Sequence, residues 1–313
     1  MIRARRWLLL VAAMALTGTA NAGLLLANGG GDSILQFTVP AGGGGGAFVS
    51  QGSGGLNNPR GIAVGPDGNL YVTGNIGGST GHVFRYSGTT GAFIDLFSNT
   101  VDVSAFGVSF GPDGSLYVTN VGADSVSRFN GSSGALIGNF VAPGAGGLDA
   151  PRGLVFGPDG NLYVASADSD QVLRYNGTTG AFINAFATGV DARGVVFGPD
   201  GNLYVADYDG DRILRFDGAT GTSLGTFASG SGLDGAVGLL FAPGGLYVTS
   251  FNNGRLLQYD GITGAFIQTV AAGLPTNADN QGPRLMVYVP EPGTLALLGI
   301  GLAGLAATRR RRE

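Results

Sequence analysis

Four arginines open four copies of one short phrase. They are Arg60 in Pro59-Arg60-Gly61, Arg152 in Pro151-Arg152-Gly153, Arg193 in Ala192-Arg193-Gly194, and Arg284 in Pro283-Arg284-Leu285. A guanidinium is a planar fork of donors that matches a carboxylate, sulfate or phosphate with two parallel hydrogen bonds. A second polar set recurs just after each Leu-Tyr-Val phrase of the chain. It comprises Asn75, Asn120, Asp124, Asp168, Asp170, Asp207, Asp209, Asp211, Asn252 and Asn253. From these, Arg60, Arg152, Arg193, Arg284, Asn75, Asn120, Asp168, Asp207 and Asn252 are the candidate ligand-binding residues: a polar funnel for an acidic or hydroxyl-rich ligand. The same repetition also fits a structural use, in which each arginine pairs with an aspartate of a neighbouring repeat. The pattern leaves both readings open.

Other chemistry is sparse. Asp207-Tyr208-Asp209-Gly210-Asp211 alternates carboxylates as calcium loops do, so Asp207, Asp209 and Asp211 form a candidate site for a divalent cation such as calcium. It departs from the usual loop, with Arg212 at the sixth position and Gly218 at the twelfth. The single histidine, His82, is expected in an exposed loop between strands. One histidine gives no acid–base set, and no catalytic residues are assigned. Cysteine is absent, which excludes disulfides, thiol nucleophiles and iron–sulfur ligation.

The positioning elements come from a repeat. Leu-Tyr-Val falls at 70–72, 116–118, 162–164, 203–205 and 246–248, in steps of 46, 46, 41 and 43 residues. In the unit from Pro151, a strand runs to Phe156, Gly157-Pro158-Asp159-Gly160 turns, and a second strand carries Leu162 and Val164. A polar loop, a third strand 171–175, the turn Asn176–Gly180 and a fourth strand to Phe186 complete it. Four antiparallel strands every 40–45 residues predict a β-propeller, one blade per repeat. Five units are complete. The N-terminus supplies three strands of a sixth, and Pro283–Tyr288 aligns with the missing first strand. The expectation is all-β: a six-bladed ring, four antiparallel strands per blade, closed by pairing a C-terminal strand with N-terminal ones, which removes an exposed edge. Innermost strands line the channel, so the arginines should ring one mouth.

Outside the ends, every cation is arginine and every acid aspartate, ten against nineteen, giving a formal charge of −9. That excess disfavours nucleic acid and anionic membrane surfaces as partners.

The phrase Pro-Arg-Gly-x-x-x-Gly-Pro-Asp-Gly-Asn-Leu-Tyr-Val, clearest at 59–73, 151–165 and 193–207, resembles NHL-type repeats and the broader six-bladed gluconolactonase-like group. The only tryptophan, Trp7, lies outside the repeats, against a WD-type propeller. Gluconolactonase-like enzymes hold a divalent metal with a Glu, Asn and Asp set, and this body has no glutamate; the related streptogramin-type lyases depend on histidines. The resemblance therefore implies the fold and not the reaction.

Both ends carry addresses. Arg3, Arg5 and Arg6, the apolar run Leu8–Leu16 and Ala20-Asn21-Ala22 predict a secretory signal at residues 1–22 cleaved after Ala22. At the other end, Pro290-Glu291-Pro292, an apolar run from Thr294 to Thr308 and Arg309–Arg312 resemble the PEP-CTERM sorting signal. As a helix the run spans roughly 22 Å, short of a hydrocarbon core of about 30 Å. The arginines place its end in the cytoplasm. That resemblance implies an exosortase-type processing protease as partner, transient anchoring by the C-terminal helix, then release to the surface or outside. The expected organisation is signal 1–22, propeller 23–289 and sorting signal 290–313. The expected function is an exported binding module, for exopolysaccharide or envelope proteins. The alternative is a metal-dependent hydrolase or lyase with a channel site of Asn and Asp.

Overall fold

The computed structural model describes residues 23–40, 43–77, 80–102, 104–276 and 282–290. The signal segment with Ala22, Glu291, Pro292 and the apolar tail lie outside them.

Among the described residues twenty-four strands form six four-stranded antiparallel sheets. Blades 2 to 6 take residues 62–101, 105–141, 151–188, 192–229 and 236–271, each in chain order. Blade 1 is composite: Pro283–Val289 joins Gly23–Asn28, Ser33–Thr38 and Gly43–Val49. Its register sets Gly23 against Val289, Leu24 against Tyr288 and Leu26 against Met286. First strands of successive blades pack on one another around the whole circle, and Pro283–Val289 touches the first strands of both blade 2 and blade 6. The ring closes as expected. The repeat turn also forms: Gly157 N–H donates to Asn161 O at 2.8 Å, and Gly160 takes the positive φ, +76°, that glycine tolerates.

The Leu-Tyr-Val phrase builds the core between blades. Each tyrosine is at most 1 % exposed. Tyr163 meets Phe186 of its own blade and Phe197 of the next edge-to-face, at 4.9 and 5.0 Å. Its hydroxyl donates to Asp159 of the Gly-Pro-Asp-Gly turn at 2.9 Å, and Tyr71, Tyr117 and Tyr204 repeat the bond with their own turns. Blade 6 lacks that aspartate, and Tyr247 uses the Pro243 carbonyl instead. Third-strand arginines lie over fourth-strand rings, with Arg174 5.2 Å from Phe186 and Arg85 5.3 Å from Phe97.

Near the axis the blades approach backbone to backbone, which explains the glycine after the arginine. A Cβ on Gly194 would sit 2.1 Å from the Val237 carbonyl oxygen, and one on Gly238 2.2 Å from that of Arg284. Threonines bridge the same seam. Thr249, fully buried, accepts from Gly238 N–H at 2.6 Å and donates to Arg284 O at 3.0 Å. Thr73 and Thr119 repeat this, while Ala165 and Ala206 stand in blades 4 and 5. Replacing Thr249 by the near-isosteric Val removes the partners of two buried backbone groups. We expect a loss of about 1–3 kcal/mol in denaturant unfolding; an unchanged midpoint refutes this role for the hydroxyl.

Candidate functional site

Arg152, Arg193 and Arg284, from first strands Pro151–Phe156, Ala192–Phe197 and Pro283–Val289, converge on one cavity at the channel mouth. The cavity encloses about 80 Å³ and is completed by Phe106, Tyr208, Val237 and Phe251. Phe106 and Val237 occupy the arginine position of their blades, so around the ring a pair of arginines is followed by one apolar residue, twice: Arg284, Arg60, Phe106, Arg152, Arg193, Val237.

Aromatic faces hold the guanidiniums. The Arg152 and Arg284 Cζ atoms lie 5.2 and 5.3 Å from the Phe106 centroid, and Arg284 is also 5.3 Å from that of Phe251. Arg193 lies 4.7 Å from Tyr208. One carboxylate joins directly: Arg193 Nη2 donates to Asp191 Oδ2 at 3.0 Å, with Nε 2.8 Å from Oδ1. This pair is within one blade, two residues apart. Burial pushes the Asp191 carboxyl up, and Arg193 draws it back. Arg60 turns aside and donates to the Ala105 carbonyl of the next blade at 3.2 Å.

Arg152 has no carboxylate within ion-pair distance among the described residues, and its buried Nε has no hydrogen-bond acceptor there. Burial, followed by the charges of Arg193 and Arg60, lowers its pKa to about 10 despite the distant pull of Asp168 and Asp191. Arg284 is 6 % exposed. Burial first, then the charges of Arg60 and Arg152, lowers it to about 9. Both remain cationic at neutral pH. The mouth is a concentration of positive charge in a body that is acidic overall.

The loop residues divide. Asn252 is exposed at the rim, accepting from the Tyr208 hydroxyl and donating to Asp234, both at 2.8 Å. Asp168 is exposed near Arg152. Asn75, Asn120 and Asp207 are instead buried at second-strand ends, each at most 5 % exposed. Asn120 donates to Ser125 and Ser127 across the hairpin, and Asp207 accepts from Arg212 at 2.7 Å. Asp124 and Asp211 take positive φ, +46° and +48°. Their carboxylates accept the Ala150 and Gly235 amides at 2.9 and 2.7 Å, tying each blade to the next, and Asp32 does the same with Asn58.

Two expectations need correction. Asp207, Asp209 and Asp211 do not converge: Asp207 faces Arg212, Asp211 faces Gly235, and Asp209 is exposed. Among the described residues no three acidic or histidine side chains are placed to share a metal, so these residues do not fit a lactonase-type cation. His82 lies in strand Thr80–Tyr86 at 8 % exposure, against Phe84, because that hairpin extends past the loop expected there. The sequence reading did not find Asp191, Tyr208, Phe106 or Phe251 as site residues; Asp191, two residues before Arg193, was the available signal.

A family profile described as outer membrane protein assembly factor BamB matches residues 122–284, just over half of the chain. The chain belongs to that family. A second profile, the PEP-CTERM protein-sorting motif, matches residues 289–312. This motif indicates export with a C-terminal anchor and implies processing by exosortase-type machinery. Among the described residues no helix is long and apolar enough to cross a membrane. No curated protein matches the chain. Among solved structures, a chain of a nidogen/laminin complex superposes with a TM-score of 0.68 at 17 % identity, covering 86 % of this chain and 98 % of that one. A gluconolactonase from Xanthomonas campestris gives 0.56 at 20 % identity, covering 73 % and 79 %. Virginiamycin B lyase from Staphylococcus aureus gives 0.52 at 17 %, covering 72 % and 73 %. At these identities the likenesses show the fold alone.

Proposed function

We propose that the chain is a surface-sorted propeller that binds an acidic partner at the arginine-bearing mouth of its channel. On this reading residues 1–22 are a secretory signal, 23–289 the propeller and 290–313 the sorting tail. The observation that carries it is the convergence of Arg152, Arg193 and Arg284 on one cavity, where Asp191 is the single carboxylate in direct contact among the described residues. Guanidiniums held on aromatic faces are preorganised for bidentate oxyanion recognition. The surface location favours an acidic exopolysaccharide over a protein ligand, because the rest of the body carries excess negative charge and repels a broad acidic protein face. The envelope role in the BamB description supports a scaffold or binding module over a catalyst. The lactonase- and lyase-like neighbours do not extend to a reaction, since the cation set does not fit and His82 is buried away from the mouth.

Capture on an immobilised uronate-rich polysaccharide tests the reading. Arg193→Ala removes one cation from the mouth and leaves Asp191 uncompensated beside it, and should weaken capture about tenfold. Retention should also fall as salt rises. Equal retention on a neutral glucan, or an unaffected variant, refutes it.

A further inference from the structure

We propose that the channel cavity takes one small oxyanionic group, a carboxylate or phosphate, and that this group clasps the closing strand to the rest of the ring. The inference deepens the reading above and rests on it for the acidic class of ligand.

Size limits the occupant. Liquid water takes about 30 Å³ per molecule. A cavity of about 80 Å³ therefore has room for a single acidic group among the guanidiniums. Any larger ligand must lie across the rim, where Tyr208 and Asn252 are already joined by a hydrogen bond. The site selects the end or side group of an acidic molecule.

Connectivity supplies the clasp. Arg284 lies on Pro283–Val289, which reaches the ring by pairing with Gly23–Asn28. Arg152 and Arg193 belong to blades 4 and 5, far along the chain. A bidentate oxyanion between them spans the closing strand and two blades to which it is not sheet-paired. Phe106 presents its ring to both Arg152 and Arg284, fixing the two guanidiniums relative to each other. Arg152 lines the cavity and forms no ion pair among the described residues, which leaves its guanidinium charge for the oxyanion. An anion would offset the like charges of Arg60 and Arg152 that act on the buried Arg284.

The test uses the full chain in non-ionic detergent. Thermal melting is followed with sodium glucuronate and with inorganic phosphate, against glucose and against sodium chloride at equal ionic strength. At a tenfold excess over Kd, the bound anion should raise Tm by about 4 °C. Amide exchange across residues 283–289 should slow in parallel. Arg152→Met should fold and lose the shift, and Phe106→Leu, which frees both guanidiniums, should weaken it. A response to phosphate alone assigns the site to a free ion; a response to glucuronate assigns it to an acidic sugar group. No shift beyond chloride, an equal shift in Arg152→Met, or a shift without slower exchange at 283–289 overturns the proposal. Failed polysaccharide capture with this response intact overturns only the surface-binding reading. Capture that survives Arg152→Met without an anion response overturns only the clasp.

Discussion

A chain ended at residue 282 should melt on the order of 10 °C below one ended at residue 290. The difference is the strand Pro283–Val289. Removing it takes Met286 out of the core and strips the cover from Leu24 and Leu26, both fully buried beside it. Burying a side chain of this size stabilises by about 1.5–3 kcal/mol. For a domain of this length each kcal/mol moves Tm by about 2–4 °C. The ladder with Gly23–Asn28 and the contacts to blades 2 and 6 are lost as well. Thermal melting by circular dichroism decides the matter: equal melting of the two chains refutes the closure.

Gly194→Ala should destabilise by about 2–3 kcal/mol, because the added methyl overpacks a seam with no room. Its Cβ meets the Val237 carbonyl at 2.1 Å, and the atom in the way is backbone, not a side chain that can swing aside. Relief requires blades 5 and 6 to part at the axis. Gly46→Ala is the control, with nothing within 4 Å and an ordinary φ; it should be neutral or slightly stabilising. If the two variants share one midpoint in urea, close approach of the inner strands is not what the glycine provides.

The ring and its closure were legible because both are written in period. Leu-Tyr-Val marks the second strands, and Pro283-Arg284 repeats Pro151-Arg152 at the far end of the chain. The arginine cluster was legible for the same reason, since one strand position recurs at one height of the ring. Which loop carboxylates reach the mouth was not. Asp207 and Asn120 end strands, where the hairpin partner captures the side chain, and Asp124 and Asp211 turn outward in left-handed backbone to cap the next blade. Composition cannot separate these aspartates, because the difference lies in φ and in a partner about 25 residues ahead. The aromatic lining was hidden differently. Phe106 occupies an arginine position, and Tyr208 and Phe251 look like loop residues until neighbouring blades bring them over the guanidiniums.

Closure also sets an order of events. Synthesis delivers Gly23–Asn28 first and Pro283–Val289 last, with nearly the whole propeller between them. Five blades can assemble as they emerge, but the first strand waits with one edge unpaired until the last strand arrives. Among the described residues this is the longest-range pairing and the slowest to find by diffusion. The sorting motif begins at Val289, the residue that pairs with Gly23. A molecule cut short upstream of Pro283 therefore loses its sorting motif together with the strand that closes the ring.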